Sequence, residues 1–144
     1  MTERNHGDAG DVFWNDLAAD LEDPEILRQY IIEAVRIATI DHVVNGLEDA
    51  RKAASISKAD LARASGSSRQ VVRRLLTADN RNPTLGTLAE VAAPLGLRVT
   101  LEPIPEEERQ HTVAPLLTGT HPDFRALTEF LDQLRPGGGQ VAAA

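Results

Sequence analysis

The sequence predicts a mainly α-helical protein with one short strand close to residue 100. Between residues 23 and 95, apolar residues recur at three- and four-residue spacing in several successive segments, which is the pattern of amphipathic helices. Only "LRVTLEPI", residues 97–104, alternates apolar and polar side chains with the two-residue period of a strand. Helices therefore dominate the predicted fold, and the strand is isolated.

Length and composition narrow the class of protein. The 144 residues suffice for one ordinary domain with its own core and an appended segment. The absence of cysteine excludes disulfide frameworks, thiolate zinc sites and cysteine nucleophiles, and makes the cytosol the default compartment. No apolar run approaches the roughly 18 residues that span a bilayer, and the polar start "MTERNHGDAGD" lacks a signal-peptide core. We expect a cytoplasmic protein that does not contact a membrane.

The charge of the chain is unevenly distributed. The formal net charge is −7, but residues 51–81 hold eight Lys and Arg against two Asp and Glu. Residues 1–50 hold three against twelve, and residues 82–144 hold four against eight. A basic island in an acidic chain is a local footprint for a polyanion, although a charge run of this kind is often only a solvated helix face.

Two helices are predicted before the basic island. The first covers residues 23–38, where Asp23 is a suitable cap and Pro24 suits the first helical position. The second starts after Asp41 and carries Arg51 and Lys52 near its end, as the helix dipole favours. Residues 1–21 receive no assignment and are expected to form an N-terminal arm.

Three shorter helices follow. Ser57 caps a helix from about Lys58 that stops at Gly66, and Ser67 or Ser68 caps the next, which runs to Leu76. "TADNRNP", residues 77–83, is a loop of turn formers, and "TLGTLAEVAAPLG" is a fifth helix that ends at a glycine.

The strand over residues 97–102 needs a partner, because a lone strand of this length is not stable. Pairing within the chain and pairing with a second copy both remain open. Beyond it, residues 104–144 form a C-terminal extension with one helix in "HPDFRALTEFLDQL" and a flexible tail "RPGGGQVAAA". Residues 22–103 are the predicted main domain.

The two helices around Gly66 fit the steric requirements of a helix-turn-helix. In a twenty-residue unit that begins at Lys58, the fifth residue must be small at the helix crossing and the ninth must tolerate an unusual backbone angle. These residues are Ala62 and Gly66, while the apolar fourth, fifteenth and eighteenth positions are filled by Leu61, Val72 and Leu75. Ser65 departs from the pattern, since that position is usually apolar.

If this unit binds DNA, the helix from Ser68 to Leu76 is the recognition helix, and its first residues face base edges in the major groove. Arginine pairs bidentately with guanine and glutamine with adenine, so the candidate base-reading residues are Arg69, Gln70 and Arg73. The candidate phosphate contacts are Lys58, Ser67, Ser68, Arg74 and Arg81. One small unit buries little interface, so we expect a homodimer on a two-fold site in double-stranded DNA.

No enzyme is predicted. The four histidines lie far apart without ligand spacing, so no metal site is expected. "GSS" lacks the glycines of a nucleophile elbow, and "GGG" at residues 137–139 has no preceding strand that would make it a phosphate loop. We expect no cofactor.

The segments "EDPEILRQYIIEA", "SRQVVRRLL" and "NPTLGTLAEVAAPLGLRV" resemble the HigA-like antitoxins with an Xre/Cro-type helix-turn-helix, and in particular the addiction-module antidote proteins. The resemblance covers about residues 20–103. It departs from the family at Lys58, where glutamine is common, and in the loop "TADNRNP", which is one residue longer than is usual in the family.

The resemblance implies a five-helix domain, a homodimer, autorepression at its own operator, and neutralisation of a RelE/HigB-type toxin encoded beside it. Two alternatives remain: a solitary Xre-family regulator without a toxin, and a toxin-binding module that has lost DNA binding.

An acidic N-terminal helix suits a basic, RNA-gripping toxin by charge complementarity. The candidate toxin contacts are Glu25, Tyr30, Ile31 and Glu33, with Phe13 and Trp14 as further apolar anchors. The alternative is that Tyr30 and Ile31 are core residues and that the acids keep the protein soluble. The same two options apply to "FRALTEFLDQL" near the C-terminus.

Overall fold

A computed structural model describes residues 7–77 and 82–134, and within those ranges it contains seven α-helices and a short 3-10 helix. The helices are α1 (Gly7–Leu21), α2 (Pro24–Ala53), α3 (Lys58–Ser65), α4 (Arg69–Thr77), α5 (Leu85–Ala92), α6 (Glu106–Thr118) and α7 (Phe124–Leu134), and the 3-10 helix Ala93–Leu95 follows α5. The chain divides into two compact units. Unit 1 comprises residues 1–36 and 104–144, and unit 2 comprises residues 37–103.

The predicted break between the first two helices is absent, because α2 runs without interruption from Pro24 to Ala53. Residues 38–42 contain neither glycine nor proline, so nothing in the backbone chemistry forces a helix to end there. Asp41, after which we expected a second helix to start, lies inside α2.

Helices also occupy segments that received no assignment from the sequence. The expected N-terminal arm contains α1, and the segment before α7 contains α6. Three glutamates, Glu106, Glu107 and Glu108, fill the first turn of α6, where negative charge interacts favourably with the helix dipole. The helix continues past Pro115 and ends at Gly119, which adopts a left-handed φ of 76°.

The core of unit 1 is a leucine-rich cluster from three helices. Its buried members are Leu21, Leu27, Ile31, Leu127 and Leu131. Beside the core, Arg28 Nε donates a hydrogen bond of 3.0 Å to the carbonyl oxygen of Leu116 and so ties α2 to the last turn of α6. Gly119 also lies beside Arg28, and a Cβ at this glycine would come within 2.7 Å of Pro24 Cβ.

Two histidines of unit 1, His111 and His121, are joined by a hydrogen bond. His121 Nδ1 accepts the backbone N–H of Asp123 at 3.0 Å, so the proton of the neutral ring is on Nε2 and is donated to His111 Nδ1, also at 3.0 Å. His111 in turn stacks on Phe130 with ring centroids 4.7 Å apart. Burial, and then the neighbouring His111, lower the pKa of His121.

The core of unit 2 joins the helix-turn-helix to α2 and α5. Its buried members are Val44, Leu47, Leu61, Ala62, Val72, Leu75, Leu76, Val91 and Ala92. The small side chain of Ala62 is 2% exposed, and Leu61 and Val72 on either side of the turn are completely buried. Each of the apolar positions expected from the helix-turn-helix pattern thus lies in one cluster.

The turn between α3 and α4 depends on Gly66. Its φ of 72° and ψ of 10° are left-handed, and the following N–H of Ser67 bonds to the Ala62 carbonyl at 3.1 Å, as in a Schellman-type helix end. A Cβ at Gly66 would meet nothing within 4 Å. The requirement for glycine is therefore conformational and not steric crowding by neighbours.

The predicted strand over residues 97–102 is not formed. Residues 97–105 belong to no helix, and no strand occurs in the part of the chain that the structure describes. A strand is completed by hydrogen bonds from a neighbour, and alternating side chains do not supply that neighbour.

We expect Gly66→Ala to lower the free energy of unfolding by about 1–2 kcal/mol, the cost of placing an L side chain in a left-handed conformation. The matched control is Gly46→Ala, in the interior of α2 with open space around its Cβ, which should stabilise by roughly 0.5–1 kcal/mol. Urea unfolding followed by circular dichroism measures both, and equal effects of the two substitutions would contradict the conformational role of Gly66.

Acid should destabilise unit 1 through His121. Since folding lowers its pKa, the unfolded chain binds this proton more readily, so stability is full above the unfolded pKa of about 6.5 and falls as the pH drops below it. Fluorescence of Trp14, the single tryptophan, reports urea unfolding of this unit at pH 7.5 and 5.5. His121→Gln should reduce the difference between the two pH values, whereas the exposed control His42→Gln should not.

Candidate nucleic-acid interface

The outer face of α4 carries the arginines that the sequence singled out. Three residues of α4 are buried in the core of unit 2: Val72, Leu75 and Leu76. The opposite face of α4 is therefore turned toward solvent. Arg69, Gln70, Arg73 and Arg74 are all exposed on that outer face. Ser68 caps α4, because its Oγ accepts the N–H of Val71 at 3.2 Å.

A surface groove brings the start of α3 together with this face of α4. It has a volume of about 320 Å³ and is lined by Lys58, Ala59, Arg69, Gln70 and Arg73. The three candidate base-reading residues and one candidate phosphate contact therefore share one continuous surface. Three of its five lining residues are cationic, and none of these cations forms an ion pair with another residue in the described ranges.

The remaining candidate phosphate contacts lie around this groove or outside the described residues. Arg74 is exposed on α4 but does not line the groove. Ser67 is half-buried in the turn, and Ser68 uses its oxygen as the helix cap, which leaves the hydroxyl proton available for a phosphate oxygen. Arg81 lies outside the described residues.

Two arginines of the basic island form ion pairs with carboxylates of their own helices, which the sequence analysis did not predict. Arg51 donates from Nε and Nη2 to the carboxylate of Glu48 at 2.9 and 2.6 Å, and from Nη1 to the Ile56 carbonyl at 2.8 Å. The hydrogen bonds between the two side chains raise the pKa of Arg51 and lower that of Glu48.

Arg63 forms an exposed ion pair with Asp60 on α3. Both pairs have three-residue spacing along a helix, which is the sequence signal that could have found them.

The candidate toxin contacts on α2 differ in accessibility. Ile31 is completely buried in the core of unit 1, so of the two options left open for it the structure favours a core residue over a toxin contact. Tyr30 is half-buried against the same core. Glu25 and Glu33 are exposed, and Glu33 pairs with Arg36 at 3.1 Å.

The residues around α1 present a different apolar surface. Phe13 is 70% exposed, whereas Trp14 is half-buried and has the guanidinium of Arg125 5.1 Å from its ring centroid. Of the two aromatic residues, Phe13 is thus the accessible one.

The two units differ in net charge. Unit 1 holds six Lys and Arg against fifteen Asp and Glu, whereas unit 2 holds nine against seven. The acidic excess of the chain is therefore carried by unit 1, and the groove on α3 and α4 belongs to the unit with a positive balance.

Neither a metal cluster nor a membrane span is found within residues 7–77 and 82–134. No three His, Asp or Glu side chains in those ranges come close enough to hold a metal ion. No helix there combines the length and the apolar character that crossing a membrane requires.

Comparison with known families identifies the helix-turn-helix. Residues 47–101 match the family model described as "Helix-turn-helix", and this segment contains α3, α4 and α5 together with the end of α2. The match covers a little more than a third of the chain, so it describes unit 2 and not the whole protein. It supports a DNA-binding regulator of the Xre kind. Searches of curated proteins and of solved structures gave no significant match.

Proposed function

We propose that the protein is a transcriptional regulator that binds an operator in its own promoter and also acts as the antitoxin of a toxin–antitoxin pair. The observation that carries the DNA-binding part is the groove in which Lys58, Arg69, Gln70 and Arg73 meet on one exposed surface. The proposal assigns the protein no enzymatic activity and no cofactor, and it places its action in the cytoplasm.

In the proposed complex α4 lies in the major groove of DNA. Arg69 and Arg73 are one helical turn apart, so both reach base edges on the same side of the helix, where each guanidinium can pair with O6 and N7 of a guanine. Gln70 next to them offers an amide that suits adenine. Lys58, on the first turn of α3, is then directed at the phosphate backbone, where a point charge is sufficient.

A helix of nine residues reads only a few base pairs. Two copies on a two-fold operator double both the base contacts and the phosphate contacts, so the proposed regulator is a homodimer.

The antitoxin part of the proposal is supported by the charge of unit 1. A ribonuclease toxin of the RelE/HigB class must attract RNA, so its active surface is basic, and an acidic unit is electrostatically complementary to it. Glu25 and Glu33 provide exposed carboxylates on α2, and Phe13 provides an exposed aromatic residue on α1. A solitary regulator would need no such acidic unit, whereas a module that had lost DNA binding would need no unpaired arginines on α4.

Replacing the two base-reading arginines should abolish specific DNA binding. We expect Arg69→Ala and Arg73→Ala each to cost about 1–3 kcal/mol of binding free energy to the DNA upstream of the gene. Arg74→Ala should weaken binding to all sequences alike and reduce the slope of log K against log salt by about one. Fluorescence anisotropy with the upstream fragment and a scrambled fragment, across a salt series, measures both quantities.

The matched control is Arg36→Ala with Arg109→Ala, which removes the same charge from exposed positions of unit 1. If the control pair reduces affinity as much as the α4 pair, the effect reflects net charge and the assignment of a reading surface is wrong. Equal binding of the upstream and scrambled fragments by the native protein would reject operator recognition.

Reversing acidic charges on unit 1 should weaken toxin binding without affecting DNA. We expect Glu25→Lys with Glu33→Lys to reduce affinity for a RelE/HigB-type toxin encoded beside the gene by about tenfold, because a positive surface would then face another. The control Asp49→Lys with Glu90→Lys makes the same charge change on exposed residues of unit 2. Calorimetric titration of the toxin measures both variants, and equal losses would contradict binding through unit 1.

A further inference from the structure

We propose that residues 97–103 form a two-stranded antiparallel ribbon with the same residues of a second copy, centred on Thr100. The proposal takes only the homodimer from the proposed function. It identifies the surface that holds the two copies together and the register in which they pair.

The backbone of this segment is anchored at one end and unpaired beyond it. Gly96 turns the chain out of the 3-10 helix with a φ of 72°, and the Leu97 N–H bonds to the Ala92 carbonyl at 3.1 Å. From Arg98 to Glu102, no backbone hydrogen bond links the segment to any other residue that the structure describes. These five consecutive residues therefore offer a second strand their donors and acceptors.

The side chains of the segment are exposed although half of them are apolar. Leu97 is 45% exposed, Val99 38% and Leu101 98%. They occupy alternate positions, so in a strand they lie on one face while Arg98, Thr100 and Glu102 lie on the other. A row of exposed apolar residues next to unpaired backbone is a surface that pairing would cover.

The sequence of the segment is complementary to itself in one register. With Thr100 opposite Thr100 of an antiparallel copy, Arg98 lies opposite Glu102 at both ends of the ribbon, and Val99 lies opposite Leu101. Shifting the register by one residue would put apolar side chains opposite polar ones. A parallel ribbon in register would place Arg98 against Arg98 and Glu102 against Glu102, which is unfavourable. Self-complementary charge is the reason for assigning this surface to a second copy.

The end of the segment limits the length of the ribbon. Pro103 and Pro105 have no N–H to donate, so the ribbon cannot extend in that direction. A short ribbon with prolines at its ends resists the open-ended strand addition that leads to aggregates.

Cross-linking tests the register directly, because the chain contains no cysteine. Opposite residues of an antiparallel pair lie about 4.5–5.5 Å apart, which a disulfide spans, so Thr100→Cys should form a covalent dimer nearly completely under mild oxidation. Thr118→Cys, an exposed residue of α6, is the control and should remain largely monomeric on a non-reducing gel.

Charge reversal tests the predicted ion pairs. Arg98→Glu alone and Glu102→Arg alone each create two like-charge contacts in a homodimer, and both should lose the dimer in light-scattering measurements. An equimolar mixture of the two single variants restores both opposite-charge contacts and should dimerise, as should the double variant. Circular dichroism establishes that each single variant is folded, which is expected because both side chains are exposed.

A native protein that is monomeric at tens of micromolar, or a dimer that persists in both single variants and does not cross-link through Thr100→Cys, would overturn the ribbon. None of these measurements uses DNA. If the native dimer binds the upstream and scrambled fragments equally, operator recognition is therefore rejected while the ribbon stands.

Discussion

The packing of α3 and α4 around the buried Ala62, with the left-handed turn at Gly66, determines what unit 2 presents to solvent. Ala62 lies in the same core cluster as Val72, Leu75 and Leu76, and the turn directs α4 so that these three residues enter the core. Once these three residues are buried, helical geometry leaves Arg69, Gln70 and Arg73 on the outside. The candidate interface is therefore a consequence of packing on the opposite side of the same helix.

Positive charge in the basic island performs two separate tasks. Arg51 is held by a carboxylate and a backbone carbonyl, so it fastens the end of α2 to the connection before α3 and has little capacity left for a ligand. The arginines on α4 have no such partner among the described residues. Counting charge along the sequence adds the two groups together, whereas only the second contributes to a potential that a nucleic acid would meet.

The sequence predicted the helix-turn-helix well because its determinants are local. A cap at Ser57, a glycine at residue 66 and apolar positions at fixed spacing each act within a few residues, and the structure has the expected helices there. The continuity of α2 and the helices α1 and α6 were missed, because weak local signals over residues 7–21 and 106–118 are decided by burial against distant parts of unit 1. The strand is absent from the described part of the single chain for the related reason that a strand needs hydrogen bonds from a neighbour, which no local pattern encodes. Among site residues, the sequence left Ile31 open between core and toxin contact, since a core position and an exposed anchor have the same helical period, and its burial favours the core.

The separation of Arg51 from the α4 arginines bears on how a regulator of this kind can diverge. Replacing Arg51 with lysine would remove the planar guanidinium, which donates three hydrogen bonds at the same time. Folding therefore constrains this position. Arg69, Gln70 and Arg73 contribute nothing to the core, and other side chains there would leave the scaffold intact. If these residues contact bases as proposed, DNA specificity can therefore change one residue at a time in duplicated copies that keep the same stability.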